Sequence, residues 1–188
     1  MSDSRHPDTG LAPRIGARLE VLVLGSFPGT RSLADGEYYA HPQNRFWRAV
    51  GAACRASATS GYETRIEALN AAGIGLWDVL FSCARHGSLD QAIVPGTEIP
   101  NDLGTIVEAH PELRAILLNG HSVARLFHRH QVPREWWPDL GVHMQVMPST
   151  SPAHAAMRTD ALVRVWSEVL DALLGHRDDP VTRGQPER

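Results

Sequence analysis

A chain of 188 residues, 43% of them hydrophobic, is sized for one compact domain with a real core, which excludes disorder over most of its length. No run approaches the roughly 20 apolar residues of a bilayer span, and no secretory signal is expected in Met1–Pro13. The two cysteines, Cys54 and Cys83, are too few for a disulfide framework or a four-cysteine iron–sulfur cluster. The net charge of −3 weighs against a nucleic-acid binder, although a local basic rim can steer a phosphate backbone whatever the global sum.

Residues 1–17 are rich in Pro, Gly, Asp and Arg without periodicity and read as a loose tail, as do residues 175–188. A single domain is expected over 18–174. Leu19–Leu24 (LEVLVL) is a compact apolar run stopped by Gly25, the pattern of a buried strand. Asn44–Arg55 places Phe46, Trp47, Val50 and Cys54 near one helical face, and Tyr62–Ala72 reads as a helix ended by Gly73. Ile74–Leu80 (IGLWDVL) is a second strand, and Phe81–Pro100 a surface loop. Asp102–Ala109 is a short helix closed by Pro111. Ala115–Leu118 (AILL) is a third strand, followed by Asn119-Gly120 and a helix over Ser122–His130. Val142–Met147 is the fourth strand, and Thr159–Leu174 is amphipathic through Leu162, Val165, Trp166, Val169 and Leu173. Strands interleaved with helices predict an α/β fold, a three-layer α/β/α sandwich.

In open sheets of this kind ligands sit beyond the carboxyl ends of the strands. Gly25–Trp47, Asn119–His121 and Met147–His154 all follow expected strand ends, so they mark one site without naming its chemistry. In Gly25-Ser26-Phe27-Pro28-Gly29 the turn lets a ligand approach the backbone. Downstream, Tyr38 and Tyr39 offer flat faces for a heterocycle, and Asn44 offers one acceptor and two donors. The plainer alternative is a turn, an N-cap and two core tyrosines. In Met147-Pro148-Ser149-Thr150-Ser151-Pro152-Ala153-His154, hydroxyls and backbone amides suit phosphate oxygens, while an ordinary Ser/Pro loop is the alternative.

Taken jointly, these segments resemble the two signature motifs of the uracil-DNA glycosylase superfamily, and in detail its hypoxanthine-DNA (deoxyinosine) glycosylase branch. The resemblance extends over Leu19–Leu174, including Gly75-Leu76-Trp77-Asp78-Val79-Leu80 and Leu117-Leu118-Asn119-Gly120. It implies a central four-stranded parallel sheet with DNA crossing its carboxyl edge and a target nucleotide flipped into a pocket. It also implies hydrolysis of the N-glycosidic bond of a deaminated base, hypoxanthine first, leaving an abasic site. The Met147–His154 loop would then press into the minor groove, with Pro152, Ala153 and His154 filling the vacated stack. Tyr39 matches the base-stacking position. Phe27 stands where mismatch-specific relatives carry a water-positioning asparagine, so the resemblance assigns catalysis to Asn44 and makes Phe27 pocket wall. Met147 stands where classical uracil glycosylases carry a histidine, which speaks against efficient uracil excision. The amides of Gly25, Ser26 and Phe27, and less directly Asn119, are candidates to stabilise the departing base.

All 18 basic residues are arginine, so no lysine amine can form a Schiff base with an opened sugar, and strand-nicking lyase activity is not expected. Ten histidines do not make a metal site: His128 and His130 are two apart on one helix and do not share a face, and no His-Glu-x-x-His occurs. No cofactor, metal or cluster is expected, and the partner is DNA carrying a deaminated base. Asp78 reads equally well as a general acid or base and as a satisfied strand-end carboxylate. Trp136-Trp137-Pro138 reads as core or lid. The expected protein is a cytoplasmic, monomeric base-excision enzyme. Three rivals remain: a uracil/xanthine or mismatch-specific thymine/uracil glycosylase, a non-catalytic nucleic-acid-binding module, and an enzyme of free nucleosides.

Overall fold

The computed structural model describes residues 7–54, 57–134, 141–154 and 157–175. In chain order its elements are β1 (Asp8–Thr9), β2 (Val21–Gly25), α1 (Thr30–Asp35), α2 (Phe46–Gly51), α3 (Tyr62–Ala71), β3 (Ile74–Asp78) and β4 (Leu80–Cys83). They continue as β5 (Ile99–Pro100), α4 (Leu103–Ala109), β6 (Ala115–Asn119), α5 (His121–His130), β7 (His143–Met147) and α6 (Thr159–Leu174).

The main sheet is parallel, in the order β3-β2-β6-β7. Its central strands, VLVLG and AILLN, are buried at every position, as strands covered on both faces must be. Side chains alternate between faces. Val21, Val23, Ala115 and Leu117 point to a core shared with α2, α3 and α6, while Leu22, Leu24, Ile116 and Leu118 point to one shared with α4 and α5. On α6, Leu162, Trp166 and Leu170 recur every four residues and are fully buried. Val123, Leu126 and Phe127 are the buried residues of α5, on the opposite face of the sheet. The result is the α/β/α sandwich with a four-stranded parallel sheet that the sequence predicts.

Two expectations are corrected. The Phe81–Pro100 stretch is more than a surface loop: β4 and β5 form with β1 a second, antiparallel sheet in the order β1-β4-β5, and Asp90–Ala92 makes a short 3-10 turn. Residues 8–14 pair with β4 and β3 instead of forming a loose tail. Asp8 and Thr9 pair with Cys83 and Ser82, Gly10 N donates to Phe81 O, and Arg14 exchanges backbone bonds with Leu76. Strands of two residues carry no readable period, so their pairing is decided by long-range contact. The Trp136-Trp137-Pro138 cluster and residues 176–188 lie outside the described residues.

Candidate active site

The parallel register brings the strand ends together: Gly25 closes β2 beside Asp78 of β3, while Asn119 of β6 pairs with Met147 of β7. Gly25 has no side chain, and the Asp78 carboxyl occupies the space in front of it. A Cβ on Gly25 would lie 2.2 Å from Asp78 Oδ1 and 3.4 Å from Tyr39 Oη. Asp78 is only 4% exposed, and its Oδ2 has no hydrogen-bond partner among the described residues. Burial pushes its carboxyl up to about 8; the nearby Asp90 charge adds to this and the Arg85 guanidinium opposes it.

Tyr39 is held in an uncommon backbone state, φ +57°, which costs a bulky residue of order 1–3 kcal/mol and persists only where surroundings enforce it. Its ring stacks on Phe46 with centroids 3.8 Å apart and planes 11° from parallel, and its hydroxyl accepts a bond from Asn119 Nδ2 (3.3 Å). Tyr39 keeps partial exposure. Tyr38, by contrast, is core: it donates through Oη to the carbonyls of Leu11 and Ala12 and is nearly sealed from solvent.

Asn44 lies in the turn entering α2. Its Oδ1 accepts the Phe46 N–H at 3.0 Å, which fixes the plane of the amide. The plainer reading of Asn44 as the N-cap is corrected: Arg45 is the N-cap of α2, and the Asn44 bond is an Asx turn one residue earlier. The neighbouring Arg45 ties this turn to the 147–157 segment. It donates through Nη1 to Met157 O (2.6 Å) and through Nη2 to His154 O (2.8 Å), while its backbone N–H donates to Thr150 O.

The Met147–His154 loop is anchored from three further directions. Asn119 Oδ1 accepts the Thr150 N–H and Asn119 Nδ2 donates to Thr150 Oγ1, both at 2.9 Å. Trp166 Nε1 donates to Pro148 O, and Ser149 packs so closely on Gly120 (φ +107°) that a Cβ there would be 2.8 Å from it. Beyond these anchors Pro152, Ala153 and His154 are exposed and Ser151 is half-buried. Ser149 Oγ accepts from Ser151 N, and Ser151 Oγ from Ala153 N.

The expected residues thus divide. Gly25, Tyr39 and Asn119 are linked, directly or through Asp78, and the loop tip stands free. Thr150 is corrected: at 0% exposure its hydroxyl belongs to Asn119, so it anchors the loop and does not face a phosphate. Asn119 is committed to Thr150 and Tyr39. Phe27 is buried in the core on the α4/α5 side, beneath the Arg85 guanidinium (5.0 Å from ring centroid to Cζ), away from Tyr39. Met147 is also buried, in the opposite core. Ser26 donates to Asp90 Oδ1 at 2.6 Å, while the carbonyls of Gly25 and Ser26 accept from Val79 and Leu80. The N–H groups of Ser26 and Phe27 have no acceptor among the described residues. Sequence reading missed Arg85 and Asp90, which lie in the supposed loop. Arg85 donates to the carbonyls of Phe27 and Pro28 and sits 4.0 Å from Asp90, so it braces the first turn from behind. A buried arginine that satisfies carbonyls leaves no local pattern.

The sequence model of the uracil DNA glycosylase superfamily matches residues 13–170. The chain belongs to that superfamily. A relative named hypoxanthine DNA glycosylase, from Methanosarcina acetivorans, is 36% identical over 139 residues, covering 72% of this chain and 80% of that protein. A second protein of that name, from Methanosarcina barkeri, is 38% identical over 112 residues, covering 59% and 70%. The solution NMR structure of a protein from Methanosarcina acetivorans, described as a candidate uracil DNA glycosylase, superposes with a TM-score of 0.71. It is 30% identical, and the match covers 89% of this chain and 99% of that one.

Two expected outcomes follow from the loop anchors. Asn119→Ala removes both bonds to Thr150 and leaves a buried N–H unsatisfied, which should destabilise the protein by about 2 kcal/mol in a urea titration. Ser151→Ala should weaken binding to a duplex about fivefold, the worth of roughly 1 kcal/mol, and leave the rate at saturation unchanged. Unaltered affinity in a fluorescence titration would remove Ser151 from the DNA contact.

Proposed function

We propose that the protein is a monofunctional DNA glycosylase that hydrolyses the N-glycosidic bond of hypoxanthine in DNA and leaves an abasic site. The observation that carries this is the mechanical union of the Asn44–Arg45 turn with the Met147–His154 loop across the carboxyl edge of the sheet. A loop braced by Arg45, Asn119 and Trp166 is rigid enough to press on a duplex, and its exposed tip is free to enter the space a flipped nucleotide vacates. The same brace ties the Asn44–Arg45 turn to the 147–157 segment.

The chemistry is dissociative. As the C1′–N9 bond stretches, positive charge grows on the sugar and negative charge on the purine. The N–H groups of Ser26 and Phe27 are oriented donors for that negative charge, while Tyr39 supplies a stacking surface and Asn44 holds the water that completes the sugar. The two relatives carrying the name hypoxanthine DNA glycosylase support the choice of base. Replacement of a histidine by the buried Met147 supports it too, because that side chain offers no donor to a departing uracil.

The test is single-turnover excision on matched duplexes carrying hypoxanthine, uracil, xanthine or a thymine mismatch, with alkali to reveal abasic sites. Hypoxanthine should be released fastest, and no strand break should form before alkali. Release of uracil alone would overturn the choice of base. Release from a free inosine nucleoside at the duplex rate would overturn the role of the loop.

A further inference from the structure

The Asp78 carboxyl is a chemically active group at the strand ends that the reaction above does not use. It is held by its main chain, not by its side chain: Asn101 Nδ2 donates to the Asp78 carbonyl at 2.8 Å, and Gln131 Nε2 donates in turn to the Asn101 carbonyl. The side chain lies over the bare Cα of Gly25, beside the Tyr39 hydroxyl, with a buried Oδ2 that has no partner among the described residues. An ionised oxygen left so would be costly, whereas a protonated one keeps a donor for a ligand to accept.

The charged and titratable groups facing it are Asp90 from the 3-10 turn, Arg85 from the segment after β4, and Tyr38 and Tyr39 from the segment before α2. None neutralises it. Arg85 is spent on the carbonyls of Phe27 and Pro28 and leans toward Asp90, which also takes the Ser26 hydroxyl. Burial pushes both tyrosines upward, so they stay neutral across the working range. The carboxyl itself stays protonated up to about pH 8.

We propose that Asp78 is the general acid of the excision reaction, handing its proton to a ring nitrogen of the departing purine as the glycosidic bond breaks. This rests on the purine reading above. A purine bound through N9 still offers N7 and N3 to a proton, whereas a pyrimidine bound through N1 offers no comparable basic ring nitrogen. In the step the Asp78 carboxyl O–H bond breaks and a purine N–H bond forms. The C1′–N9 electron pair leaves with the base, and Asp78 becomes a carboxylate. Water adds to C1′, and the proton it releases restores the acid, so the cycle consumes one water and needs no other reactant.

The test compares wild type with Asp78→Asn in single-turnover excision from hypoxanthine and uracil duplexes between pH 5 and 10. An amide is close to isosteric with the acid but has no proton to give. Wild type should be flat at neutral pH and fall tenfold per pH unit above about 8, because ionisation removes the acid. Asp78→Asn should be at least about 10²-fold slower at pH 7, lack the alkaline limb, and bind a duplex with an abasic analogue as wild type does. It should also melt higher than wild type by a margin that grows from pH 5 to 8. The folded state of the wild type holds its proton to about 8 while the unfolded chain loses it near 4, so wild-type stability falls with rising pH in that window. Hypoxanthine release by Asp78→Asn at the wild-type rate, or a slow variant that keeps the wild-type alkaline limb, would overturn the proposal alone. Wild-type release of uracil and no purine would overturn the purine reading and the proposal with it.

Discussion

Asn44→Ala should lower the single-turnover rate of hypoxanthine release by about 10²–10³, the usual cost of losing one oriented polar group at a reacting centre. Part of any loss is structural, because Asn44 Oδ1 accepts the Phe46 N–H at 3.0 Å, and removing a hydrogen bond of that kind costs about 1 kcal/mol. A shift of that size lowers the melting midpoint by a few degrees and cannot by itself slow a folded enzyme a hundredfold. Asn44→Asp separates the two roles. It keeps an acceptor for Phe46 N and so keeps the midpoint, while the amide donors disappear and a charge is added. Slow excision by a normally stable Asn44→Asp would place the effect in the chemistry. Full activity of Asn44→Ala, with only the midpoint lowered, would leave Asn44 as a structural residue of its turn.

The sheet was legible because its central strands are buried on both faces and read as unbroken apolar runs, VLVLG and AILLN. The long helix α6 was legible because sixteen residues give room for a period, and its buried positions fall four apart. β1, β5 and α1 gave no such signal: they exist because partners distant in sequence complete their hydrogen bonds or cover them. The site shows the same division. Motif residues could be placed at strand ends from local pattern, but the meeting of Gly25 with Asp78 depends on parallel register between β2 and β3, which no local pattern records. Asn119 was found and its work was misjudged. Both its amide hydrogens and its oxygen are engaged within the protein, so it anchors the Met147–His154 loop.

Gly25→Ala should both destabilise the protein and abolish excision. The added methyl carbon would stand 2.2 Å from Asp78 Oδ1, far inside contact distance, and 3.4 Å from Tyr39 Oη. The strand cannot yield easily, since Gly25 ends one of the two central strands of the sheet and its carbonyl holds the Val79 N–H. The carboxyl must therefore rotate inside a buried site, and overpacking of this kind costs about 1–3 kcal/mol. Even a variant that folds would present the acid in the wrong place, so its excision rate should fall as far as that of Asp78→Asn. A double-mutant cycle checks the cause. In Gly25→Ala/Asp78→Ser the shorter side chain leaves room for the methyl, and a coupling of roughly 1–2 kcal/mol should restore most of the stability lost in the single variant. Activity should not return, because serine has no carboxyl proton to give. Additive losses in that cycle would mean that the clash is relieved elsewhere. Restored excision would mean that Gly25 serves the space in front of Asp78 and that the proton comes from another group.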